Sequence, residues 1–408
     1  MEICPVMMRA DRKGFVLASV VALSVIFIII VIPMIGWSVN ELFLTAHSFM
    51  SLRALNIADA GADLAVWDIV HNNAQFTGWS GTNPKTTTIY SFTDSNGAAV
   101  GDIIVSALNT ASNQYLVTST GYVPSIADTK AKKIVKVKAF PRPLFNNAIF
   151  GYSSVALSGN VVVDSYNSNN GPYSIATAGS NGDVGTNGNL TLVDNALVKG
   201  DLFLGADGTV SGNIPAHYTG ETSYFGNDVE QTSVTLPGYF GGLPNLGNLN
   251  VAGNQTPTIS GNLFYENISV SGGSAVLTIS ANSHLYVHTD FTISGQAKVI
   301  TGSSVEFYVG GTGNFAGQGI VNSTGVPNDL HIYGLNASTS LSFSGLNAFY
   351  GAIYAPESTV YLGGNADFFG AIVGGSVTEV GNTKFHYDEA LAQNGPYDGY
   401  DIAYWQET

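Results

Sequence analysis

Between Phe15 and Asn40 the chain carries no charged residue, and Glu41 is the first charge after this 26-residue run. About 20 apolar residues cross a bilayer as a helix, so the run spans one with length to spare. From Glu41 to about Asn72 the pattern becomes amphipathic. Leu44, Phe49, Leu52, Leu55, Ala58, Ala62, Ala65, Val66 and Ile69 recur at three- and four-residue steps, with Arg53, Asn56, Asp59, Asp63 and Asp68 between them. The two stretches together predict one nearly continuous helix over 15–72, roughly 85 Å long, with Pro33 as a kink. A loop-rich stretch then leads to three strand-like runs, 101–108, 114–123 and 132–140. Their short connections at 109–113 and 124–129 allow antiparallel pairing. In the last run Val135, Val137 and Ala139 alternate with Lys136 and Lys138. This predicts a small antiparallel sheet over 73–145, packed on the C-terminal half of the helix.

From Asn146 the periodicity changes. Strand-like runs of three to six residues alternate with Gly, Asn and Ser turns, and no helical period competes. A Gly-x-x-x-Phe pattern repeats at Gly345–Phe349, Gly364–Phe368 and Gly381–Phe385, with spacings of 19 and 17 residues. Short β runs at such a period predict a solenoid over 146–391 in which each coil buries its apolar side on the next. The length allows up to ~13 coils and a rod of roughly 60 Å, shortened by irregular stretches such as 215–253. Residues 392–408, with Tyr397, Tyr400, Tyr404 and Trp405, are expected to cap the open end of that stack.

Composition sharpens this picture. Glycine is abundant, at 48 of 408 residues, while charged residues make up 11%, as expected of a turn-dense β protein. Up to Ala139 there are 10 basic and 9 acidic residues; from Phe140 onward there are 4 and 20. A distal body near −16 repels phosphate backbones, which argues against nucleic-acid binding. Cys4 is the only cysteine. It precedes the apolar run, so disulfides and thiolate metal sites are not expected downstream of that run.

Arg9, Arg12 and Lys13 precede Gly14, and such basic residues hold the N-terminus in the cytoplasm. The apolar run continues into more helix without a small-residue cleavage site after it. A cut would therefore fall before it, between Gly14 and Phe15; an uncut signal anchor is the alternative. The segment Arg12-Lys13-Gly14-Phe15-Val16-Leu17 resembles the class III leader of type IV prepilins. That resemblance implies that residues 1–14 are a leader, cut after Gly14 by a prepilin peptidase that then methylates the amine of Phe15. The fifth mature position, usually Glu in that family, is Ser19 here. The departure fits a tip-located minor subunit, which has no preceding neighbour whose terminal ammonium needs a partner. Leu55-Asn-Ile-Ala-Asp59-Ala-Gly61-Ala-Asp63-Leu-Ala65 resembles the PilX-like minor pilin N-terminal family, with Asp at both Glu positions. The aromatic repeat over 341–391 resembles an uncharacterised β-helix-like domain found fused to such pilins.

Candidate chemistry is sparse. His284-Leu-Tyr-Val-His288-Thr-Asp290 places two histidines on one strand face, but four strand residues span roughly 13 Å, too far for one metal; His288 with Asp290 is the geometrically possible pair, and a polar outer face is the other reading. Paired acids for glycoside hydrolysis arise easily by chance among 20 carboxylates, and no acid–base constellation stands out. Tyr350, Tyr354, Tyr361 and Phe369 either stack on sugars along a groove or form interior ladders. Lys130, Lys132, Lys133, Lys136 and Lys138 read as a solvated strand face, with contact to an acidic neighbour as the second reading.

The reading is an α+β N-terminal module followed by a mainly-β domain, a right-handed parallel β-helix. No catalytic residue, cofactor or metal is expected. The expected function is that of a minor, tip-located type IV pilin displaying its solenoid for adhesion or assembly priming. Expected partners are the prepilin peptidase, other pilin or pseudopilin subunits, the inner membrane before assembly, and a surface polysaccharide or a host or abiotic surface. Alternatives are a tip pseudopilin of a type II secretion system and a membrane-anchored carbohydrate-binding or carbohydrate-active β-helix protein.

Overall fold

One helix, α1, runs from Arg12 to His71, and Pro33 lies within it without ending it. The computed structural model describes residues 12–71, 74–93, 95–111, 113–212, 217–335 and 340–408. They fall into two units, Met1–Phe140 with Tyr400–Thr408, and Pro141–Gly399.

In the first unit α1 lies on an antiparallel sheet of β1 (Lys85–Thr93), β2 (Ala99–Ala111), β3 (Gln114–Pro124), β4 (Thr129–Pro143) and the C-terminal strand Tyr397–Glu407, in that order. Ala54, Ile57, Ala58, Ala62, Ala65 and Ile69 are buried against Ile103, Val105, Val117, Val135 and Val137. Each such Ile or Val contributes about 1.5–3 kcal/mol through burial. Small residues set the approach: a Cβ on Gly121 would overlap the carbonyl oxygen of Ala54.

Three expectations change here. The buried stripe is narrower than the amphipathic pattern implied, because Leu44, Phe49 and Leu52 are exposed, Met50 is only partly packed and full burial begins at Ala54. β1 forms in the stretch read as loop. Within the tail 392–408, the part from Tyr397 on is a strand of this sheet: Ile134 and Thr408 exchange backbone hydrogen bonds of 2.9 and 2.8 Å, making the last strand its edge. Trp405 Nε1 donates to Asp59 Oδ1 at 2.8 Å, which ties that edge to α1.

The second unit is mostly β and its ladders are parallel. Its first strands are β5 (Ile149–Gly159) and β6 (Val162–Tyr166). One ladder runs in space through Asn248–Ala252, Asn267–Gly272, Phe291–Gly295, Thr312–Phe315, Ser340–Phe343, Phe349–Gly364, Phe368–Gly381, β5, Asn189–Leu192 and Thr209–Gly212. Spatial and chain order therefore differ. The chain enters in the interior of the stack at β5 and advances to one end. It crosses to the other end through residues 225–247 and steps back until Phe368–Gly381 pairs with β5. Ten strands at about 4.8 Å span roughly 43 Å, shorter than expected because the crossing segment adds no strand to this ladder.

A second ladder alongside follows the same spatial order, from Asn262–Tyr265 through Ser283–Val287, Val305–Val309 and Leu330–Gly334 to residues 352–354, 372–374 and 149–151. It ends with Val184–Thr186, Leu202–Leu204 and Thr222–Tyr224. A third side carries Thr258–Ile259, Val276–Ile279, Lys298–Thr301 and Gly319–Asn322. Further along the stack Phe368–Gly370 pairs with Lys384–Asp388, which pairs with β6. Between the ladders lies a core in which Phe291, Phe307 and Phe315 are buried in edge-to-face contact at centroid distances of 5.4 and 5.2 Å.

Candidate functional site

The N-terminal part of α1 is the first candidate. It is long and apolar enough to cross a membrane, and Leu17, Phe27, Ile29 and Trp37 are exposed along it. Residues 1–11 of the expected leader lie outside the described residues. Gly14 and Phe15 lie in the first turn of α1, and what surrounds them is outside what is described. Ser19 Oγ donates to Val16 O at 2.9 Å, so its hydroxyl is satisfied by its own helix and brings no charge to the apolar surface. An apolar helix of this length, joined through its other half to an antiparallel sheet, fits a pilin-like protein.

The aromatic repeat meets in one column of the body. Phe349 pairs with Phe368 and Phe368 with Phe385, with ring centroids 4.7 Å apart in both steps. The register continues from Phe385 to Val163. Gly364 and Gly381 pair at φ 103° and 108°, and Gly381 pairs with Gly159 at φ 88°. These are left-handed corners that favour glycine. Gly345 leaves that column, and a Cβ on it would lie 3.0 Å from Gly319 Cα. Beside the glycines an amide ladder runs along the stack. Asn382 donates to Asn365 at 2.9 Å, Asn160 to Asn382 at 2.7 Å and Asn195 to Asn160 at 2.8 Å. The repeat thus has a further member, Gly159-Asn160, separated from its neighbour Asn382 by 222 residues of sequence.

The outer side of the second ladder is covered by the crossing segment. Tyr286, Tyr308, Tyr333 and Tyr354 are in register there, and Phe240 of the crossing segment packs on Tyr286 and Tyr308 at 5.9 and 5.5 Å. Tyr354 OH donates to Thr232 O at 2.7 Å, and Gln231 Nε2 donates to Pro356 O at 2.9 Å. Tyr354 is therefore buried under the crossing segment, as part of the apolar core of the body. Next to this column His284, Glu306 and His331 are in register. Tyr308 OH and Tyr239 OH both donate to Glu306 Oε2, at 2.8 and 3.1 Å, and burial pushes the Tyr239 hydroxyl up to about 12. Burial pulls His331 down to about 4, and its Nε2 is shut from solvent without a hydrogen-bond partner. A cavity of about 340 Å³ opens under the crossing segment, lined by Phe150, Tyr152, Phe203, Phe225, Arg142 and Glu230 among others.

The histidine pair does not converge. His284 Nδ1 lies 2.8 Å from Asn262 Oδ1, while His288 Nδ1 lies 3.2 Å from Glu266 Oε2. Asp290 Oδ1 accepts from the Thr312 backbone N–H at 3.0 Å. Among the described residues no group of three His, Cys, Asp or Glu side chains stands close enough to hold a metal.

A second polar cluster was invisible in the sequence. Asp164 is buried; its Oδ1 lies 2.6 Å from His386 Nδ1, and its Oδ2 accepts from Tyr173 OH at 3.0 Å. Lys199 Nζ stands 3.5 Å from the same oxygen. Tyr173 covers the His386 ring at 3.8 Å, and the ring stacks in turn on Phe369 at 4.6 Å. Partners on both carboxylate oxygens make this a clamp across the join of β6 and Lys384–Asp388.

The outer side of the ten-stranded ladder has a different character. One column reads Asn250, Ser269, Thr292, Asn314 and Ser342, then Tyr361 and Thr378; after Ala156 it ends with Thr191 and Ser211. The parallel column beside it holds Thr312, Ser340, Thr359, Ser376 and Ser154. Ser376 Oγ donates to Thr359 Oγ1 at 3.0 Å, and the Thr191 and Ser211 hydroxyls are 3.1 Å apart. Alternation of inward Val, Leu and Ile with these outward residues produces the array.

Comparison with known proteins adds little. Residues 227–394 match the model of a domain family of unknown function, DUF7305. That stretch begins at the crossing segment and ends just beyond the join with β5 and β6. No curated protein matches the sequence. Among solved structures, the chain is similar to a competence-associated pilin, ComZ, from Thermus thermophilus, with 12% identity, TM-score 0.26, and coverage of 88% of this chain and 97% of that one. It is also similar to an ice-binding protein from the Antarctic ascomycete Antarctomyces psychrotrophicus, with 14% identity, TM-score 0.24, and coverage of 60% and 95%. Both likenesses are faint, and neither assigns a function to this chain.

Proposed function

We propose that this chain is a minor type IV pilin-like subunit, cut between Gly14 and Phe15 by a prepilin peptidase. In this reading the N-terminus faces the cytoplasm and α1 holds the subunit in the inner membrane before assembly. The helix then packs among other pilin subunits at the tip of a filament, where the body is displayed for adhesion or assembly priming. The body is read as a right-handed β-solenoid, the hand that parallel crossovers take, with a structural and adhesive role and no enzymatic one. The observation that carries the proposal is the division of α1. From Ala54 onward one face of it is buried on its own sheet, while its N-terminal half presents an apolar surface on all sides that only lipid or other helices can cover. Ser19 supports a subunit with no neighbour ahead of it, and the PilX-like segment around Gly61 supports the minor-pilin family.

The test is mass spectrometry of the N-terminus in material sheared from the cell surface. A methylated Phe15 start is expected. An intact Met1 on protein retained in the membrane defeats the reading.

A further inference from the structure

We infer that the outer side of the ten-stranded ladder, centred on Thr292, Asn314, Ser342, Tyr361 and Thr378, is a binding surface for a neutral polysaccharide laid along the stack. The inference rests on the adhesive reading above and names its partner and its face.

The first argument is charge. From Phe140 onward the chain holds 20 acidic and 4 basic residues, yet the column from Asn250 to Ser211 contains none of them. An anionic polymer gains nothing there and is repelled by the rest of the body. The second is chemistry. Hydroxyl and amide side chains both donate and accept, which suits a polymer whose surface is hydroxyl groups. The third is repetition. Strands about 4.8 Å apart repeat these groups in a line, so a polymer held at one coil reaches the next at high effective concentration. The fourth is order. The Thr359–Ser376 and Thr191–Ser211 contacts already fix side chains that would otherwise lose freedom on binding. Tyr361 is 38% exposed in the middle of the array and offers a flat ring to a sugar. A protein partner fits less well, since the face has neither an apolar centre nor an arginine anchor.

The experiment uses the full chain in detergent micelles, sedimented with insoluble cellulose, cross-linked dextran and starch, and with calcium pectate as the anionic comparison. Retention is expected on at least one neutral polymer and should persist at about 1 M salt, where exposed charges are screened. Thr292→Glu with Thr378→Glu, and separately Tyr361→Ala, should each reduce retention about tenfold or more, with unchanged melting transitions. Lys298→Gln, on the third side of the body, should bind as the wild type does. For the unmodified chain, soluble dextran should compete retention away. The inference is overturned by retention on none of the neutral polymers, by retention on pectate alone, by partition into growing ice without polysaccharide binding, or by variants that bind like the wild type. A chain that starts at methylated Phe15 and ignores every neutral polymer would keep the pilin reading and lose this one.

Discussion

The two units solve the same problem of covering an apolar side in opposite ways. In the first, β1 to β4 form an antiparallel meander in which each strand pairs with its sequence neighbour, and only the edge strand comes from far away. In the second, the central join is between residues such as Asp164 and His386, 222 positions apart. Local pairing forms early, whereas the join waits for the closure of a long loop. The contrast predicts a head that is tolerant of changes at its edge and a body that is most vulnerable at its join.

Phe385→Ala tests that vulnerability most severely. The ring is fully buried and stacks on Phe368, so its loss should cost about 3–5 kcal/mol. Hydrogen exchange should show β5 and β6 losing protection while β2 and β3 keep theirs. Equal loss in both units would erase the distinction.

Glu379 offers a second lever within the body. Its carboxyl is buried, and desolvation raises it from 4.5 to about 7, against smaller lowering effects of Thr383 and Lys384. Below pH 4.5 both folded and unfolded chains are protonated, and the native state is not penalised. As pH rises the unfolded chain ionises first, so stability falls until the folded carboxyl ionises near 7. Glu379→Gln should therefore stabilise the body at pH 8 by up to about 3 kcal/mol and leave it nearly unchanged at pH 4. Denaturant midpoints at the two pH values check this. A gain that is the same at both would remove titration as its cause.

Trp405→Phe, the mildest change, removes the indole hydrogen bond to Asp59 and should cost the first unit about 1 kcal/mol. It sharpens the comparison if the body's transition does not move.

The parts of the fold legible in the sequence were those with a short-range signal. The uncharged run and the alternation around Val135 and Val137 gave the helix and β4, and the 19- and 17-residue spacing of Phe349, Phe368 and Phe385 marked strands paired in parallel register. β1 was missed because Lys85-Thr-Thr-Thr-Ile89 lacks alternation; its residues are half-buried. The join was missed because the next position in the aromatic column is Val163, not Phe, and lies far upstream. The aromatic column ending at Tyr354 gave no warning that it is covered, because the segment over it, with Gly238, Gly241 and Gly242, has no period of its own. Pairings such as Asp164 with His386 leave no local trace at all.

The chain departs from the head after β4 and comes back as the strand hydrogen-bonded beside it. Entry and exit thus occupy neighbouring positions in one sheet, which makes the second unit an insert spliced into a hairpin. Such an insert can be exchanged for another while α1 and its sheet stay as they are, and no nascent chain completes that sheet until the whole insert has been synthesised.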